Sequence, residues 1–322
     1  MKKFSVLFVT LLILSGIVLG QGKISSKIYF DYSYNKDAKT TNKFEIHRVY
    51  FTYQNKLSDA VSFKITTDVG RVNNGKDNRM GVYLKNALLK WKTGYGDIVL
   101  GLQGMNMFNV EEHNWGYRFV EKSPMDLYHF SSSADLGIGY YKTFNKKLHF
   151  SGLITNGTGY KKSENNNYKK ISLQLMYGDS KITKDGNYNI GASFSVEPFD
   201  YVVGTNKTKE NKIVFAGFAV YRIKTFRFGA EYDIMNNGGS SLSSSIISAY
   251  ANLIVGKKVE VFARYDIFDP NVDKIDDGRS YIVGGLNIKP VKGFYIAPNV
   301  KISSPQKGSS TTFYNLNFQF KI

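Results

Sequence analysis

From Lys23 onward the chain is written in a two-residue period: apolar and polar residues alternate through about sixteen segments, and no long helix-period run separates them. The segments centre near Ile28, Phe51, Ile65, Leu88, Leu100, Ile138, Phe150, Leu173, Ala192, Phe215, Phe228, Ala251, Val261, Gly284, Ile296 and Phe318. A strand with this pattern buries one face in something oily and wets the other. The last of them, Asn315 to Ile322, alternates without a break to the final residue. Past the N-terminal twenty residues there is no apolar stretch of about eighteen, so helices that span a membrane are excluded.

Both ends point to export. Lys2 and Lys3 precede an apolar run from Phe4 to Leu19 that closes on Gly20, the layout of a secretory signal peptide. Residues 1–20 are therefore read as the signal, with a single transmembrane anchor as the rival reading, and 21–322 as one β-barrel. At the other end the alternating strand resembles the assembly signal read by the barrel-assembly machinery of the bacterial outer membrane, with Ile322 where Phe or Trp is usual. Composition agrees, because 23 Tyr and 23 Phe supply aromatic girdles, Pro is only 6, and the absence of Cys excludes disulfides and thiolate metal sites. The net charge of +17 calls for an anionic partner. An exported chain without a nucleic-acid motif leaves lipopolysaccharide or an anionic solute.

Connections alternate in length, as they must when short inner turns answer longer outer loops. Short links fall at Asn55 to Asp59, Thr93 to Gly96, Phe144 to Lys146, Ile223 to Lys224, Gly256 to Lys258 and Lys289 to Gly293, with a longer inner link from Gly178 to Gly186. Outer loops are expected at Asn35 to Asn42, Arg71 to Arg79, Asn156 to Asn167, Glu197 to Asn211, Asn236 to Ser244, Asp269 to Gly278 and Ser303 to Ser310. The stretch 105–133 exceeds the usual loop length, and folding it into the lumen as a constriction loop gives it a place. Pro298, which lacks an N–H, predicts a bulge or one lost hydrogen bond in its strand.

Three stretches resemble the phosphate-selective porin O and P family. They are Phe44 to Tyr53 (FEIHRVYFTY), the run from Trp115 to Asp126 (WGYRFVEKSPMD) with Ala134 to Gly139 and Gly152 to Tyr160, and Tyr281 to Asn299 (YIVGGLNIKPVKGFYIAPN). The resemblance implies an all-β, transmembrane antiparallel barrel of about sixteen strands, a homotrimer, and passive diffusion of small hydrophilic solutes or ions, with anions such as phosphate among them. It implies neither catalysis nor a cofactor. The alternative function is a non-conducting barrel, its lumen plugged by the long loop, acting as a surface adhesin or structural protein.

Strand parity tests the lumen for an anion filter. The inward faces carry Lys27, Lys64, Arg227, Lys258, Arg264 and Lys321 against Asp31, Asp68, Glu231, Asp233, Glu260 and Asp266, an even balance. In the loop, Glu111, Glu112, Glu121 and Asp126 outnumber Arg118 and Lys122. The expected constriction is therefore one of mixed sign, with Arg118 and Lys122 facing those four acids; local pairing that merely holds the loop is the competing reading. The residues expected on the pore wall are Lys27, Lys64, Arg227, Arg264, Asp68, Glu231 and Asp266. The four histidines are too dispersed for a zinc site, and Ser131 to Ser133 beside His129 lack an oxyanion donor for esterase chemistry.

Overall fold

A computed structural model describes residues 22–35, 42–71, 78–164, 166–240 and 242–322. The signal-peptide reading, most of the first two outer connections, residue 165 of the loop Asn156 to Asn167 and residue 241 of the loop Asn236 to Ser244 lie outside the described residues.

Every alternating segment becomes a strand: β1 (Lys23–Tyr34), β2 (Asn42–Lys56), β3 (Val61–Arg71), β4 (Met80–Lys92), β5 (Asp97–Gly104), β6 (Ala134–Phe144), β7 (Leu148–Thr155), β8 (Lys170–Gly178), β9 (Tyr188–Val203), β10 (Asn206–Ile223), β11 (Phe226–Asn237), β12 (Leu242–Gly256), β13 (Val259–Asp269), β14 (Arg279–Ile288), β15 (Phe294–Pro305) and β16 (Thr311–Lys321). Each pairs antiparallel with its sequence neighbours, and β1 pairs with β16, closing the barrel. Closure satisfies both edges of every strand, which an open sheet in hydrocarbon could not do.

The seam depends on the terminal strand. Lys27 lies opposite Lys321 and Tyr34 opposite Tyr314, and even Ile322 exchanges backbone hydrogen bonds with Ser26 at 3.0 and 3.1 Å. Outside the seam, Phe30 stacks on Phe318 with centroids 4.5 Å apart, and Phe294 on Phe320 at 4.8 Å. Alternation therefore supplies side-chain packing as well as ladder pairing where the two chain ends meet.

Two expected loops need adjustment, and the expectation for Pro298 is met. Glu197 to Asn211 is not a loop: β9 and β10 run on as a long hairpin and turn at Gly204 and Thr205. The outer connection expected from Ser303 is shorter too, because β15 continues to Pro305. Pro298 keeps its register with Leu316 on β16, but pairing with β14 lapses between Gly285↔Asn299 and Ile288↔Ile296, where the missing N–H interrupts the ladder.

One glycine is required by backbone geometry. Gly101 in β5 has φ +113°, and a Cβ there would sit 2.3 Å from the carbonyl oxygen of Ala87. Gly101→Val is expected to destabilise the barrel by about 1–3 kcal/mol, since backbone on both sides must shift. Loss of the compact, heat-modifiable band on a denaturing gel, or a lower urea midpoint, would register it.

Candidate functional site

The stretch between β5 and β6 folds inward and forms the only sizeable apolar core among the described residues. It carries two short helices, α1 (Asn109–Trp115) and α2 (Pro124–Leu127). Trp115, Tyr117, Phe119 and Val120 pack against Tyr29, Phe262, Val283 and Ala297 of the wall; Met107, Phe108, Met125 and Phe130 pack against Val214, Ala216 and Ile246. This explains an inward-facing Phe262, Val283 or Ile246 in a lumen that is otherwise polar. Water is displaced there by the loop, and burying these side chains stabilises the docked arrangement.

Backbone polarity of the buried loop is answered by the wall. Four loop carbonyls accept hydrogen bonds from four different strands: Trp115 from Arg227 Nη2 (3.2 Å), Phe119 from Asn317 Nδ2 (3.2 Å), Val120 from Lys301 Nζ (2.7 Å) and Lys122 from Arg264 Nη1 (2.6 Å). Irregular backbone taken out of water must find such partners. Much of the inward cationic charge is thus spent holding the loop.

The loop charges divide into three groups. Arg118 binds Glu112 at 2.8 Å and Asp126 at 3.0 Å, while Lys122 stands 4.0 Å from Asp126. Glu121 turns to the wall, accepting from Tyr281 Oη (2.6 Å) and Lys301 Nζ (3.0 Å). Glu111, within α1, is buried, and among the described residues neither of its carboxyl oxygens has a hydrogen-bond partner. The expected face-off of Arg118 and Lys122 against all four acids does not form: Glu111 and Glu121 are directed into the wall, away from open space. Arg118, Glu112 and Asp126 form a local cluster, which is the geometry of the competing reading.

Electrostatics separate the two buried glutamates. Burial raises the Glu121 carboxyl, but Lys301, Arg264 and the Tyr281 hydroxyl outweigh that and hold it at about 2. Burial, with the Glu231 carboxyl behind it, holds Glu111 well above the ordinary carboxylate range. Burial disfavours the charged form of Arg118, but Glu112 and Asp126 more than compensate and keep it cationic.

The wall residues also divide. Asp68, Glu231, Arg264 and Asp266 face inward as parity predicts, yet all are buried, at 0, 9, 2 and 0 % exposure, because the loop and neighbouring side chains cover them. They do not line open space. Asp68 pairs with Arg48 at 3.2 Å, and Asp266 with Arg264 at 3.0 Å. Asp31 is buried beside His47, 2.9 Å away. Lys258 sits in the turn before β13, where its Nζ donates to the carbonyl of Pro290. Lys27, Lys64 and Arg227 do reach the cavity.

That cavity, about 810 Å³, lies between the loop and the wall. Eight cationic residues line it (Lys27, Lys64, Lys85, Arg118, Arg222, Arg227, Lys289 and Lys321) against two acids, Glu112 and Glu260. Both acids are already paired, Glu112 with Arg118 and Glu260 with Lys289 at 2.6 Å. Parity alone missed Lys85. The register between β3 and β4 slips at Thr66/Thr67, so that Lys85 and Asn86, adjacent in sequence, both line the cavity. Lys85 Nζ donates to Ser133 Oγ and lies 3.9 Å above the Tyr160 ring.

No family model and no curated protein matches the chain. Solved structures do. OmpF of Salmonella typhi aligns over 94% of this chain and 97% of its own, with TM-score 0.68 at 11% identity. The chain has the porin fold. OmpT of Vibrio cholerae lacking loop L8, an outer-membrane protein, aligns over 94% of this chain and all of its own (TM-score 0.67, 14% identity). An anion-selective porin from Comamonas acidovorans aligns over 94% and 99% (TM-score 0.63, 13% identity).

Opposite pH responses follow from the two glutamates. Glu121, held low, contributes stability that is complete above the ordinary carboxylate pKa of about 4.3 and is lost as pH falls toward 2. Glu111, held high, makes the native state bind more protons than the unfolded state, so stability declines as pH rises above about 4.3 toward its elevated value. Glu121→Gln should flatten the acid limb of urea midpoints measured against pH. Glu111→Gln should flatten the alkaline limb and match or exceed the parent near pH 8.

Proposed function

We propose that the protein is a porin of the bacterial outer membrane, a water-filled channel through which small hydrophilic anions diffuse passively. The observation that carries this reading is the sorting of charge around the cavity. Asp68, Glu231, Asp233 and Asp266 are buried, Asp68 beneath Arg48 and Tyr83 of the wall, while Lys27, Lys64, Lys85 and Lys321 remain on the cavity wall, and each acid left there is paired with a cation. Positive charge and N–H donors at close range are what a partly dehydrated anion needs. The anion-selective Comamonas porin, alike in fold, supports the reading without deciding it.

On this reading no bond is made or broken, and no cofactor takes part. Residues 1–20 act as an export signal and β16 as the strand presented to the assembly machinery. Exposed cations of the outer connections and the β9–β10 hairpin, such as Lys162 and Lys209, meet lipopolysaccharide phosphates, and the barrel assembles as a homotrimer. Phosphate preference would follow from the family resemblance alone, whereas anion preference has the charge sorting behind it. A plugged, non-conducting surface barrel is disfavoured by the size of the cavity beside the docked loop.

The test is electrical. Folded protein in a planar bilayer should conduct, and its zero-current potential across a potassium chloride gradient should have the sign of anion preference. Lys64→Glu with Lys85→Glu should cut the chloride-to-potassium permeability ratio several-fold or invert it. Silence from correctly folded protein would return the plugged reading, and a cation-selective parent would sink the anion reading.

A further inference from the structure

The cavity wall combines charge with aromatic surface in a way that inorganic anions do not require. On the lumen side of β15, β16, β1 and β2, Tyr295 lies opposite Gln319, Gln319 opposite Tyr29, and Lys27 opposite both Lys321 and Tyr50. Phe119 of the docked loop joins this row. Ring centroids are 5.7 Å apart for Tyr50 and Tyr29, 6.3 Å for Tyr29 and Phe119, and 6.3 Å for Phe119 and Tyr295, so the four rings make one continuous strip. Tyr29 and Phe119 form its packed base, whereas Tyr50 and Tyr295 are only partly buried, and all four border the cavity.

Beside the strip lie three ammonium groups. Lys27 and Lys321 are cross-strand partners, and Lys64 is close enough to Lys27 for the two to repel. Among the described residues no carboxylate is within ion-pair distance of any of the three. Glu112 is the one acid near enough to act on Lys27, and it is already paired with Arg118, so the grouped like charges on this cavity wall attract a solute anion. Aromatic faces next to them add nothing for a compact, fully hydrated ion, but they offer contact to a flat apolar body.

Building on the anion-channel reading, we propose that the permeants this site favours are aromatic carboxylates, the carboxylate held by Lys27, Lys64 and Lys321 and the ring lying along the Tyr50–Tyr295 strip. This departs from the phosphate preference implied by the family resemblance. It makes the strip the specificity determinant and the lysines the general attractor.

Benzoate, acetate and inorganic phosphate, added separately to single channels carrying chloride current, separate the contributions. Benzoate should interrupt the current at a concentration about tenfold lower than acetate, the carboxylate without the ring, and lower than phosphate. Tyr50→Leu with Tyr295→Leu, checked for folding by heat-modifiable migration, should bring benzoate and acetate to parity; if the pair does not fold, Tyr295→Leu alone should narrow the gap. Lys27→Gln with Lys64→Gln should weaken all three anions together. Parity of benzoate and acetate in the anion-selective parent, or stronger block by phosphate, overturns the proposal. A parent without anion preference instead overturns the channel reading beneath it.

Discussion

A backbone amide taken out of water has no partner but another protein group, and that one deficit organises the molecule. It requires a sheet without edges, which the pairing of β1 with β16 provides. A closed sheet then fixes parity, so that each strand presents alternate residues to the outside and to the lumen. The same deficit recurs inside. A loop packed into the lumen also gives up water, and four of its carbonyls find Arg227, Asn317, Lys301 and Arg264 in exchange.

Packing in this protein is thereby inverted relative to a soluble domain. The barrel's large apolar side chains lie outside, with Phe44 and Val82 each 71% exposed, while the most completely buried ones belong to the loop and its seat. Met107, Trp115, Met125 and Phe130 are each at most 1% exposed. What resembles a hydrophobic core is therefore a docking interface within one chain. Its energetics govern how wide the lumen is.

Strand number, strand placement and the inward course of the long loop were all legible in the sequence, because each depends on a period of two or on loop length. Lumen charge was legible only as an inventory. Counting six cations against six acids treats every inward residue as wetted, but whether Asp266 meets water depends on where a distant loop segment settles. Lys85 was hidden for a different reason: a bulge in β4 breaks the alternation that parity counting assumes. Glu197 to Asn211 was misread as a loop because its polar composition says that both its faces are wetted, not that it stops pairing.

The burial of acids beneath the loop joins two properties that are usually considered separately. Glu231, Asp233 and Asp266 lie buried on the part of the wall where α1 and α2 are seated. A barrel with its loop unseated would be wider and would also regain that negative charge, so lumen width and lumen charge would change together. Substitutions in the apolar seat, such as at Phe262 or Ile246, would therefore alter lumen charge without touching any charged residue. A greasy interface thus sets the electrostatics of the lumen as directly as the lysines do.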